Sequence, residues 1–159
     1  ILGLENVVMK DINVKTAEGQ LTTTIGGRID RMDCVTCADG VRRIRVIDYK
    51  TGKNNKKNDG YILQSFIYSL LVDESPMMNP EKLEVSPALL YIQHSAGKDF
   101  DPTVVYEKEK VTNVSKFREE FMNTVEQIIA EIFNPEQPFA CTDDKTACTH
   151  CPYCNLCGV

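Results

Sequence analysis

The first fifty residues divide into three apolar stretches broken by turn residues, and a helical repeat follows them. Val7 to Val14 reads as a strand, with Ala17-Glu18-Gly19 as the turn behind it. Leu21 to Asp33, rich in Thr and Ile, reads as a second strand with a bend or bulge at Gly26-Gly27. Ala38-Asp39-Gly40 marks another turn and Arg42 to Lys50 a third strand, so the three predict an antiparallel meander. A polar loop, Thr51 to Asn58, leads to a helix over Asp59 to Asp73, capped by Asn58 or Asp59. Its broad apolar face holds Ile62, Phe66 and Leu70, flanked by Leu63, Ile67 and Leu71. Pro76 to Pro87 reads as a connection, Ala88 to Gln93 as a buried strand and Thr103 to Tyr106 as a shorter one. A second helix spans Asn113 to Phe133, with Phe117, Phe121, Val125, Ile128, Ile129 and Ile132 on one side, and Asn134-Pro135 ends it. The order strand, strand, strand, helix, strand, strand, helix predicts an α/β fold with a mixed sheet.

Side chains alternate across a strand, which sorts the third one into two faces. Arg43, Arg45, Ile47 and Tyr49 share one face, and Ile44, Val46, Asp48 and Lys50 the other. The apolar face thus ends in a carboxylate and an ammonium. Burying charge is costly, so the pair needs a partner or a purpose. An ion pair at a strand end is the plain structural reading. Asp30, late in the preceding strand, adds another: a hairpin turning near Asp39-Gly40 brings Asp30 and Asp48 together to share a hard divalent cation. Mg²⁺ is held by one or two carboxylates and completes its shell with water and phosphate. A Lys beside it orients the attacking water and stabilises charge developing on phosphate, which makes this a chemically sensible site for phosphodiester hydrolysis.

Composition narrows the setting. The 159 residues are 42% hydrophobic and 26% charged, which fits one globular domain and excludes wholesale disorder. No apolar run approaches the roughly twenty residues of a membrane helix. The chain starts without Met, which reads as a piece of a longer protein. The net charge of −5 argues at first against a nucleic-acid partner, yet Arg28 to Lys57 holds nine bases and four acids, a +5 band on a remainder of −10. Cys34 and Cys37 form a CxxC in the second hairpin turn, read as two free thiols. Cys141, Cys148, Cys151, Cys154 and Cys157 crowd the tail, a spacing that suits metal or cluster ligation in a reducing compartment better than disulfides.

Three segments carry a resemblance. Gly27-Arg28-Ile29-Asp30-Arg31-Met32-Asp33, then Val46-Ile47-Asp48-Tyr49-Lys50-Thr51-Gly52, then Gln64-Ser65-Phe66-Ile67-Tyr68 resemble, in this order, the motifs of the RecB-like nuclease family of the PD-(D/E)XK superfamily, AddB/RecB-type C-terminal nuclease domains among them. The tail pattern Cys148-x-x-Cys151-Pro152-Tyr153-x-x-x-Cys157 agrees as well. The resemblance implies a restriction-endonuclease-like core over 1–140, with 141–159 as a Cys-rich tail of the same domain. It makes Asp30 and Asp48 carboxylate ligands for Mg²⁺ or Mn²⁺, adds the Tyr49 backbone carbonyl, and makes Lys50 the catalytic lysine. Gln64 and Tyr68, at i and i+4 on one helix face, and the basic residues Arg28 and Arg31 are implied to contact substrate or brace the acids. Cys148, Cys151 and Cys157, with Cys141 or Cys154, are implied ligands of a [4Fe–4S] cluster or Zn²⁺; a reduced, metal-free tail is the alternative.

The resemblance also implies a core helix before the first strand, carrying a His or Glu for the metal. Nothing before Val7 supplies it: Glu5 lies too close to the strand, and both histidines, His94 and His150, fall late. The expectation is that this helix is missing, and that the fragment binds metal poorly and cleaves slowly or not at all, the activity belonging to the full-length protein. The implied function is Mg²⁺-dependent DNA cleavage, most simply from an end. It belongs to a larger bacterial repair or recombination protein with helicase-like modules, in the cytoplasm at the nucleoid. A catalytically inactive DNA-binding module of the same fold and a metal-stapled structural domain are the alternatives.

Overall fold

The computed structural model describes residues 1–51, 59–94, 100–138, 142–149 and 151–157. Its first two strands outrun the apolar pattern: β1 (Gly3–Thr16) and β2 (Gly19–Thr36) pair antiparallel from Gly3↔Met32 to Thr16↔Gly19. A ladder satisfies backbone groups whatever the side chains are, so the Thr- and Asn-rich ends pair as well as the apolar middle. Pairing passes Gly26-Gly27 residue for residue, without the bulge that the sequence allowed. β3 (Arg42–Lys50) runs antiparallel to β2, and α1 (Asp59–Glu74) carries the chain over to β4 (Glu84–Tyr91), parallel to β3. The result is a mixed four-stranded sheet in the order β1-β2-β3-β4.

β4 starts inside the stretch that reads as a connection and gives way at Ile92–His94 to a 3-10 turn. Pro87, a poor strand residue for want of an N–H, pairs with Val46 and accepts from Val104 N–H at 3.0 Å. Leu89 N–H donates to Pro102 O and Ala88 bridges Thr103, so residues 102–104 line β4. The predicted short strand is this bridge plus β5 (Val105–Tyr106), paired with β6 (Glu109–Lys110). Asn113 accepts from Ser115 N–H and opens a 3-10 turn, Val114–Phe117, ahead of α2 (Arg118–Ile132). Two single-turn helices follow in the tail, α3 (Lys145–Cys148) and α4 (Cys154–Cys157). Among the described residues no helix is long and apolar enough to cross a membrane.

The core lies between α1, α2 and one face of the sheet. Phe66 is fully buried, stacked on Phe121 with ring centroids 3.9 Å apart and edge-on to Tyr106 and Phe117. Ile29, Met32, Ile44, Val46 and Val85 meet it from the strands, while Ile12 and Val14 of β1 pack with Val125 of α2. Ile44 and Val46 face the helices as their parity predicts. On the opposite face Arg43 is buried too, tolerated because Asp39 and Glu84 hold its guanidinium at 2.7 and 2.8 Å.

Candidate active site

The site forms where β2 and β3 part. Along β2 the residues facing the helices are Ile25, Gly27 and Ile29, but further on the core residue is Met32, so the inward parity changes across Asp30 and Arg31. Across the ladder Glu5 takes a left-handed φ of 55°, and the Glu5↔Asp30 pair is the step missing from an otherwise continuous register. Such local strain is stored where a side chain must be re-aimed. The β2–β3 ladder ends at Arg31↔Ile47, and Asp30 Oδ2 then accepts Tyr49 N–H at 2.7 Å in place of a backbone partner. One more step in that register sets Asp30 beside Asp48.

Asp48 is 9% exposed, and its Oδ2 lies 2.5 Å from Lys50 Nζ. That ammonium is the charge partner of the buried carboxylate. Burial, and secondarily the like charge of Asp30, pushes the Asp48 carboxyl above its ordinary value, outweighing Lys50. Lys50 Nζ also donates to Gln64 Oε1 at 3.2 Å, and Gln64 Nε2 donates to the Tyr68 hydroxyl at 3.2 Å. That hydroxyl rests on Gly27, where a Cβ would lie 2.2 Å from it, so any side chain there pushes the tyrosine aside. The Tyr61 ring completes the surroundings of Lys50, its centroid 3.9 Å from Nζ.

Two acids beside a gripped lysine at the end of a mixed sheet call for a family, and a family model supplies it: that of the PD-(D/E)XK nuclease superfamily matches residues 2–158. The chain belongs to the PD-(D/E)XK nuclease superfamily. No curated protein and no solved structure matches it. The restriction-endonuclease-like architecture expected of PD-(D/E)XK proteins agrees with the mixed sheet flanked by helices. Members of the superfamily are generally nucleases that act on DNA with a divalent metal such as Mg²⁺.

The donor set fits such an ion in kind. Two carboxylates, one of them buried, are what Mg²⁺ ordinarily takes from a protein. Among the described residues no group of three or more His, Cys, Asp or Glu is placed to hold a metal, which applies equally to the tail. There Cys148, Cys151 and Cys154 are half-buried and Cys157 exposed. Cys141 and His150 lie outside the described residues, as do 52–58, Asn58 of the helix cap included.

The remaining PD-(D/E)XK motif residues sit further off. Arg31 binds Asp33 at 2.7 Å rather than either site acid, and its guanidinium is pushed above the ordinary arginine value by Asp33 first and Tyr49 second. Arg28 pairs with Glu5 at 3.4 Å in an exposed position. Cys34 accepts from Arg42 Nη2 at 3.5 Å. Cys34 and Cys37, separated by two residues where β2 ends, are both free thiols. Tyr61 was not singled out in the sequence; its signal is an aromatic ring three residues before Gln64, on the same helix face.

Proposed function

We propose that this chain is a RecB-like nuclease domain that hydrolyses DNA phosphodiester bonds from an end, within a larger repair or recombination protein carrying helicase-like modules. What supports the reading most is the juxtaposition of Asp30, Asp48 and Lys50 where the β2–β3 ladder ends, with one acid buried and held off its ordinary titration. Asp30 and Asp48, with the Tyr49 carbonyl, are the groups to hold Mg²⁺, which when bound supplies Lewis-acid polarisation of the phosphate and an acidified water. The Lys50 ammonium would orient an attacking water and face the charge that develops on phosphate. Gln64 and Tyr68 hold Lys50 in line, and Arg28 is an exposed cation for the phosphate backbone.

The test is cleavage of end-labelled linear DNA in Mg²⁺ by wild type, Asp48→Ala and Lys50→Ala, with circular dichroism on each. Both variants fold and lose at least about a hundredfold in rate; undiminished cleavage in both overturns the reading. Calorimetric Mn²⁺ binding that disappears in Asp30→Asn and Asp48→Asn assigns the ligands. Binding of metal and DNA without cleavage identifies an inactive module instead. Cleavage of covalently closed circles overturns the end requirement.

A further inference from the structure

We propose that Tyr61 is a positioning residue, its ring face holding the Lys50 ammonium against Asp48; this rests on Lys50 acting in the cleavage step. An ammonium carries three donors on a flexible four-carbon stem and has no intrinsic direction. Around Lys50 Nζ stand the Asp48 carboxylate at 2.5 Å, Gln64 Oε1 at 3.2 Å and the Tyr61 ring centroid at 3.9 Å. A cation over an aromatic face is attracted by the ring quadrupole, at a distance well inside the effective range of about 6 Å. The ring therefore closes a side that would otherwise be open to water.

Core packing does not account for Tyr61. The apolar residues Ile62, Leu63, Phe66, Ile67, Tyr68, Leu70, Leu71 and Val72 of α1 belong to the core or pack against it, whereas Tyr61 is 41% exposed and contributes to neither core cluster. It stands on the face of α1 that also carries Gln64, three residues on, so one helical turn presents both the acceptor and the ring to a lysine from β3. Substitution at Tyr61 consequently leaves the fold intact while releasing the lysine.

Two readouts on the full chain decide the matter, each with Tyr61→Leu and Tyr61→Phe. In ¹³C–¹H spectra the ring current shifts the Lys50 ε-methylene protons upfield in wild type. The shift is lost in Tyr61→Leu and kept in Tyr61→Phe, and the measurement needs neither metal nor DNA. In cleavage assays Tyr61→Leu lowers kcat about fivefold with KM within about twofold of wild type, and Tyr61→Phe restores it. A Lys50 resonance unchanged by Tyr61→Leu overturns the proposal. So does an effect on KM alone, which would make the ring a substrate contact. If wild type itself fails to cleave DNA, the nuclease reading falls, and the ring-current result still decides whether Tyr61 holds the lysine.

Discussion

Replacing Gly27 with alanine tests whether Tyr68 anchors the grip on Lys50. The new Cβ would lie 2.2 Å from the Tyr68 hydroxyl oxygen, 2.8 Å from Cζ and 3.1 Å from Cε1. Ordinary contact begins at 3.4 Å, so the hydroxyl must retreat by about 1.2 Å. It is the far end of a side chain rather than backbone, so crowding costs roughly 1–2 kcal/mol, offset by about 0.4–1 kcal/mol from the stiffer unfolded chain. The retreat nevertheless carries the hydroxyl away from Gln64 Nε2, whose bond is already 3.2 Å long, and Gln64 loses the orientation that lets it accept from Lys50. Gly27→Ala should keep its Tm within about 4 °C of wild type and lose about tenfold in kcat. The adjacent glycine is the control. At Gly26, with φ +146°, a Cβ would meet the Val8 carbonyl oxygen at 2.0 Å. Backbone cannot swing aside, so Gly26→Ala should cost about 3 kcal/mol, or about 10 °C of Tm. Differential scanning calorimetry and the cleavage assay together separate the two. Wild-type kcat in Gly27→Ala, or equal losses of Tm in both variants, refutes the reasoning.

Asp48→Asn should abolish cleavage yet stabilise the protein at neutral pH, because burial disfavours the native carboxylate. The folded state binds the Asp48 proton more tightly than the unfolded chain does. The gain is therefore absent below the ordinary carboxyl value of 3.8 and grows as pH rises through the raised folded value, and urea titrations at several pH values follow it. A variant less stable than wild type at pH 7 contradicts this. Phe66→Ala empties the centre of the aromatic cluster and should cost about 3–5 kcal/mol in urea denaturation; a loss below about 1 kcal/mol would mean that the stack with Phe121 is not what holds α1 to α2.

What the chain reveals before folding is what depends on period alone. Ile44, Val46, Asp48 and Lys50 sort onto one face by counting in twos, and the i, i+4 spacing of Gln64 and Tyr68 joins them on one side of α1. The Asp30 position is different. Period two would carry the inward face of β2 from Ile29 to Arg31, yet it moves to Met32, opposite the point where the neighbouring strand carries the left-handed Glu5, and no local pattern encodes that. The start of β4 is hidden by Pro87, whose missing donor matters less once residues 102–104 line that edge. Tyr61 over Lys50 is a contact between a helix and a strand, visible only when both are in place.

The route of the chain also sets an order of assembly. β1, β2 and β3 are neighbours in sequence and pair through tight turns, while β4 joins β3 only after α1 has crossed over. Local pairings form quickly, and pairings that close long loops wait. Asp30, Asp48 and Lys50 therefore come together in the early meander, whereas Gln64, Tyr61 and Tyr68 arrive with the later crossover. Until α1 docks, nothing steadies the lysine beside the acids. The reactive group is armed last, when the sheet that confines it is complete.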